Sequence, residues 1–213
     1  MERPFFMREL IFATNNDHKL LEIKQAIDPR FTVAGLKEKG IREEIPEDHF
    51  TLEENAFQKA AYVYEKFGIS CFSDDTGLEI DALNGEPGVF SARYSRIGTP
   101  TYPDMEVSKG NIMKVLEKLE GTETRKARFR TVIALILEGN RHAFEGIVEG
   151  VISLDVRGEE GFGYDPIFIP EGGLKTFAEM DLEEKNRISH RARAIRKLTG
   201  FLNALDDSSL QVK

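Results

Sequence analysis

The chain has 213 residues, 40% hydrophobic and 31% charged, which fits a folded protein of one domain, or of two lobes sharing a core. No apolar run approaches the roughly 18 residues needed to span a bilayer, and a net charge of −8 argues against an extended nucleic-acid surface. The single cysteine, Cys71, excludes an internal disulfide and a thiolate metal cluster.

The opening MERPFFMREL lacks the h-region and cleavage site of a signal peptide, so a cytoplasmic location is expected, with Met7 as an alternative start. Residues 1–8 read as an N-terminal extension and 207–213 as a C-terminal tail. Between them, residues 9–206 read as one α/β unit with a long mixed sheet and no low-complexity linker or internal repeat. A short apolar strand, 9–13, leads into Thr14-Asn15-Asn16 and a helix with Leu20, Ile23 and Ile27 on one stripe. A second helix starts at Thr51, where Thr51 and Glu54 form a capping box. It carries the stripe Ala56, Ala60, Val63 and Phe67, and Gly68 stops it. Strand 69–73 follows, then an extended segment at 78–83 and a helix near 104–119. Two β-branched runs, 127–137 and 142–154, flank Gly139-Asn140, the signature of a hairpin. A strand is expected over 164–169, and a last helix over 189–205 buries Ala192, Ile195, Leu198, Leu202 and Leu205.

Five places carry candidate chemistry. The apolar run Ile69-Ser70-Cys71-Phe72 ends at Ser73-Asp74-Asp75-Thr76-Gly77, as if a buried strand delivered two carboxylates to the rim of a sheet. Adjacent aspartates repel unless a cation lies between them, which points to a divalent metal. Taken alone, the same residues also read as a solvated turn. The strand-to-helix turn Thr14-Asn15-Asn16-Asp17-His18-Lys19 offers backbone N–H groups, two amides, a hydroxyl and a lysine to an anion, without being a Walker A loop. The acidic approach to the second helix, Glu43-Glu44-Ile45-Pro46-Glu47-Asp48, complements the helix dipole and also offers a metal ligand. In Gly161-Phe162-Gly163-Tyr164-Asp165-Pro166, the glycines leave the Phe162 ring with little cover from its neighbours, which suits stacking on a base. Finally, Lys185 is followed by Ser189-His190-Arg191, which places two basic residues in the first turn of the last helix, against its dipole.

These segments resemble, in order and from Leu10 to about Leu205, the inosine triphosphate pyrophosphatase family. They are TNNDHK (14–19), PEDHFTLEENAFQKA (46–60), SDDTGLEIDALNGEPGVFSARYS (73–95), GFGYDPIF (161–168) and EEKNRISHRARA (183–194). The resemblance implies an elongated two-lobed α/β fold with an active-site cleft between the lobes, a homodimer, and Mg²⁺ as cofactor. The implied reaction is hydrolysis of dITP, ITP and XTP, non-standard purine nucleoside triphosphates, to the monophosphate and pyrophosphate. Neither nucleic acid nor membrane is an expected partner.

By the same resemblance Asp75 is the catalytic carboxylate and a metal ligand, with Glu47 as a second ligand and Asp74 in support. The segment Thr14, Asn15, Asn16, Asp17, His18 and Lys19 binds the triphosphate, with Lys59 as a further phosphate-side lysine. The family has Gly where this chain has Asn15, and Asn tolerates a left-handed turn. Thr76 touches the substrate, Phe162, Gly163, Tyr164 and Asp165 form the base loop, and Lys185, His190 and Arg191 complete the nucleotide contacts. Donors from these last three would favour purines with a 6-keto group over adenine. Two alternatives belong to other classes: a pyrophosphatase of the same broad fold acting on nucleotides such as dTTP or UTP, and a non-catalytic nucleotide-binding protein.

Overall fold

A computed structural model describes residues 8–43 and 45–210. The expected N-terminal extension up to residue 7, Glu44 and the end of the expected tail lie outside the described residues. Twelve regular elements occur among those described: β1 (Arg8–Phe12), α1 (Asp17–Ala26), β2 (Phe31–Gly35), α2 (Leu52–Phe67), β3 (Cys71–Ile80), β4 (Pro87–Gly88), α3 (Val107–Lys118), β5 (Lys126–Leu137), β6 (Asn140–Ile152), β7 (Phe168–Pro170), α4 (Leu182–Ile188) and α5 (His190–Leu210). The strands pair in the order β2-β1-β3-β5-β6-β7, with β4 on β3. β1 is parallel to both β2 and β3, whereas β4 on β3 and β7 on β6 are antiparallel, so the sheet is mixed, as expected for this α/β chain. No helix among the described residues is long and apolar enough to cross a membrane.

The chain divides into two compact units, and the boundary falls inside β3. The first unit holds the described residues up to Asp75, Val132–Gly146, and Arg191 onward. Its core joins Ile23 of α1 and Ile27 just after it, Phe12 and Phe72 of β1 and β3, and Ile195, Leu198 and Leu202 of α5. The Phe12 and Phe72 rings stack at 4.8 Å. The second unit holds Thr76–Thr131 and Ile147–His190. Its core is richer in aromatics: Phe129, Phe168 and Phe177 cluster with Val115, Leu119 and Ile152.

Local chemistry explains most boundaries. Thr51 Oγ1 caps α2 by accepting from the Glu54 N–H, and the Thr51 hydroxyl donates to the Glu54 carboxylate at 2.7 Å. The expected reciprocal bond from Glu54 to the cap backbone is thus replaced by a side-chain bond. Gly68 stops α2 in the left-handed region, at φ 64°, where a Cβ would be strained. Three expectations shift. The β5–β6 turn is Glu138-Gly139, not Gly139-Asn140, because a two-residue turn of this hand needs positive φ at both central positions, here 50° and 84°. Tyr164–Ile167 is not strand: Pro166 has no N–H to give a ladder, and Asp165–Ile167 winds into a 3₁₀ turn before β7. A short helix that the periodicity did not indicate, α4, is capped by Asp181 and directly precedes α5.

Candidate active site

The first unit assembles a buried charged group around β3. That strand does not end at the paired aspartates: it runs through Asp74, Asp75, Thr76 and Gly77 to Ile80, so the two acids stand on regular strand and not in a solvated turn. What ends there is its parallel neighbour, since β1 pairs with β3 only at Ile11↔Cys71 and Phe12↔Phe72. Beyond Phe12, β1 gives way to the turn that starts α1.

Alternate β3 side chains meet different helices. Cys71 Sγ donates to the Ala60 carbonyl at 3.3 Å, the Ser73 hydroxyl donates to the Ala56 carbonyl, and Asp75 Oδ1 lies 3.4 Å from Lys59 Nζ, so all three face α2. The small residues Ala56 and Ala60 let that helix approach closely, and Lys59 rides on the same buried stripe. Asp74, between Ser73 and Asp75, turns instead to Lys19 of α1, at 2.9 Å, and to Arg191 Nε of α5, at 3.2 Å.

Burial alone would raise the Asp74 carboxyl, but the charges of Lys19, Arg191 and Lys59 outweigh it and hold the group well below the usual carboxylate range. Arg191 is 2% exposed, and its other arm pairs with Glu22 of α1, itself buried. Burial works against the guanidinium charge, while Glu22 and Asp74 overcome that cost and raise its affinity for the proton. Asp75 goes the other way. Desolvation raises it, Glu47 and Asp74 add to the rise, and Lys59 and Lys19 offset it only in part. Its Oδ2 is buried and has no hydrogen-bond partner among the described residues.

Glu47 reaches the same lysine: Lys59 Nζ donates to its carboxylate. The loop that carries Glu47 is tied down along α2. Glu43 accepts from the Tyr62 hydroxyl at 2.6 Å and from Lys66, the Asp48 N–H donates to Gln58, and buried Asn55 bonds both the N–H and the carbonyl of His49. Asn15 joins this loop to the phosphate-type turn, its amide donating to the Glu43 carbonyl at 3.0 Å. Asn15 is not among the residues with positive φ, so the turn tolerates a side chain at this position without left-handed strain. In the same turn Thr14 Oγ1 accepts from the Asn16 N–H, and Asn16 caps α1 by accepting from the Lys19 N–H. Asp17 and His18 are exposed, with Asp17 paired to Lys37 at 2.9 Å.

The second unit gathers the other expected residues. Asp165 is buried and accepts from Lys185 Nζ at 2.7 Å and from the Phe162 N–H at 2.8 Å, which pins the loop. Lys185 Nζ lies 5.2 Å from the centre of the Phe162 ring. Gly161 is at φ 75°, and a Cβ there would run into the Asp165 carboxylate, so the tight turn requires glycine. Gly163 is left-handed too, its carbonyl within 3.4 Å of the Ser108 hydroxyl. The Tyr164 hydroxyl donates to the Ser91 carbonyl at 2.9 Å, Thr76 and Thr131 share a hydroxyl bond of 2.7 Å, and His190 stacks on Phe129 at 4.6 Å.

The structure therefore brings Lys19, Glu47, Lys59, Asp74, Asp75 and Arg191 together in one unit, and Phe162, Asp165 and Lys185 in the other. Sequence reasoning missed Glu22. Its signal was present: it stands three residues after Lys19, on the face of α1 that also buries Ile23.

Among the described residues no three His, Cys, Asp or Glu side chains form a ready metal cage. What the first unit offers is two carboxylates, Glu47 and Asp75, one of them with a buried unpartnered oxygen. Two hard oxygen donors suit a cation that takes its remaining ligands from water and phosphate, and do not suit the N/S set of a structural zinc.

Comparison with known proteins places the whole chain. The sequence model of the Ham1 family matches residues 10–201. A dITP/XTP pyrophosphatase of Porphyromonas gingivalis is 52% identical over 197 residues, 92% of this chain and 98% of that protein. One of Bacillus subtilis is 46% identical over 202 residues, covering 93% and 98%. The Ham1 protein of Staphylococcus aureus superposes with a TM-score of 0.79 at 37% identity, over 92% of this chain and 99% of that one. A HAM1 protein of Coxiella burnetii gives 0.79 at 37% identity, over 93% and 100%. Matched from near its first strand to its last helix, and close to half identical to full-length relatives, this chain belongs to the Ham1 family.

Proposed function

We propose that this chain hydrolyses dITP, ITP and XTP to the monophosphate and pyrophosphate, with Mg²⁺ as cofactor, as a cytoplasmic homodimer that clears non-standard purine nucleotides. One observation carries the chemistry. Asp75 is a buried carboxylate with its proton affinity raised, one oxygen near Lys59 and the other without a hydrogen-bond partner among the described residues. That is the condition of a base waiting for water or a cation. The names of the close relatives support the substrate class.

Glu47 and Asp75 are assigned to the metal, with Asp74 in support. When bound, the cation neutralises phosphate charge and lowers the pKa of a coordinated water. Asp75 orients the attacking water and accepts its proton, held in place by a regular strand. Lys19 and Lys59 stabilise charge on the departing pyrophosphate. Thr14 to Lys19, at the N-terminus of α1, bind the triphosphate, and Thr76 touches the substrate. Phe162 offers its face to the purine, with Gly163, Tyr164 and Asp165 shaping the loop. Lys185 and His190 are the donors for a 6-keto oxygen, and adenine would present a donor to donors. A site built this way rejects the wrong partner by roughly 10⁴-fold. Arg191, held by Glu22 and Asp74, is assigned to orienting Asp74.

The test is pyrophosphate release from dITP, XTP, dATP, dGTP and dTTP, with Mg²⁺ and with chelator. The expected outcome is metal-dependent release from dITP and XTP and not from dATP, while rejection of dGTP, which shares the 6-keto oxygen, must rest on its 2-amino group. Release of orthophosphate, indifference to the base, or preference for dTTP overturns the assignment.

A further inference from the structure

We infer that Lys59 is an ion-operated switch: it bridges Glu47 and Asp75, is released when a divalent cation takes those carboxylates, and then turns its ammonium to the phosphate chain. The inference rests on the reading of Glu47 and Asp75 as the metal carboxylates.

Lys59 is 6% exposed, and its Nζ meets both acids, donating to Glu47 and lying 3.4 Å from Asp75 Oδ1. An ammonium and a divalent cation cannot both occupy the same two carboxylates at low dielectric without strong repulsion. One of the three side chains must yield. Asp75 is fixed on β3. Lysine has a flexible four-carbon stem and a point charge free to rotate, so it is the part able to move.

The loop bearing Glu47 does not depend on the Lys59 contact. It is fastened to α2 independently, by Glu43 on Tyr62, Asp48 on Gln58 and His49 on Asn55. Release of Lys59 therefore leaves Glu47 in place. The ordering follows: the cation frees the lysine, and only then does the lysine meet phosphate, so the unloaded site holds triphosphate poorly.

Mn²⁺ binding to the full-length chain, without nucleotide, tests this by the electron paramagnetic resonance of free Mn²⁺. Lys59→Met and Lys59→Gln remove the competing charge and are expected to bind Mn²⁺ about tenfold more tightly than wild type. The same variants are expected to bind tripolyphosphate more weakly once Mn²⁺ is present. Unchanged or weaker Mn²⁺ affinity in either folded variant overturns the switch. Wild type supplies a measurement that needs no variant: acylation of Lys59, read by mass spectrometry, is expected to rise several-fold on adding Mn²⁺, with Lys66 constant. No rise also overturns it. Glu47→Gln separates the two levels of the argument. Mn²⁺ binding unaffected by that change overturns the metal reading and the switch with it. Binding lost in Glu47→Gln but not tightened in the Lys59 variants leaves the metal reading standing and removes only the switch.

Discussion

Two buried charged groups stand side by side on one strand of the first unit, and they are built to opposite ends. In the chain Glu22–Arg191–Asp74–Lys19, two carboxylates alternate with two cations, and every link is a close ion pair. In the trio Glu47–Lys59–Asp75, two carboxylates meet at one ammonium, and Asp75 Oδ2 has no hydrogen-bond partner among the described residues. The first group is electrically closed, and its acid Asp74 is driven far below the ordinary range. The second is open, and its acid Asp75 is driven up. Neighbouring residues of the same type thus become an acid of lowered and an acid of raised proton affinity. The difference lies in the count and placement of cations, since both acids are buried.

Breaking each group separately should give different kinds of loss. The largest expected effect is Asp75→Asn: the turnover number for dITP falls about 10³-fold while the folded protein is retained, because the substitution removes a base and an unpaired charge together. Arg191→Ala opens the closed group and leaves Glu22 and Asp74 buried without it. Urea unfolding should then show a loss of about 3–5 kcal/mol, far beyond that of an exposed arginine. A loss confined to nucleotide selectivity, with stability untouched, would show that Arg191 serves the base instead.

Acid sharpens the contrast. Because the folded Asp74 pKa lies below its unfolded value, its stabilising contribution is full above about pH 4 and declines as pH falls toward the folded pKa. Wild type should therefore lose stability below about pH 4, and its margin over Asp74→Asn should narrow there. Asp75 contributes with opposite sign, so Asp75→Asn should stabilise the metal-free protein at neutral pH relative to wild type. The smallest effect is Asn15→Gly, which removes the amide bond to the Glu43 carbonyl. It should cost about 1 kcal/mol or less and loosen metal binding slightly, as read by Mn²⁺ titration.

The helix that carries part of the open group was legible from local rules, whereas the roles of Glu47, Lys59 and Asp75 came from the family resemblance. Thr51 and Gly68 bound α2, the Ala56–Ala60 stripe sets which face is buried, and Lys59 falls on that face by helical spacing. The closed group was harder to read. Arg191 lies 169 residues from Glu22 and 117 from Asp74, a separation at which no periodicity or cap rule connects them. The sequence placed Arg191 correctly in the first turn of the last helix and marked it as misplaced against the dipole. Its reason is tertiary: two buried carboxylates oblige it to be there. The strand through Asp74-Asp75-Thr76-Gly77 was read as stopping because acids and glycine are turn formers. What continues it is tertiary: β3 is also paired with β5, and Leu78 and Glu79, beyond the apparent stop, pair with β4. α4 escaped notice because seven mostly charged residues carry little apolar periodicity.

The alternation of β3 also sets what this strand can survive. Cys71, Ser73 and Asp75 face one helix, while Asp74 faces the other pair. A single residue inserted upstream would therefore carry Asp74 to the lysine and leave Ser73 at the arginine clamp, while a single deletion would carry Asp75 to the clamp and leave Thr76 facing the lysine. Every side chain would still be present, in a sequence nearly unchanged, and one of the two groups would lose its carboxylate. Along 71–75 a change of length is therefore more disruptive than a single substitution.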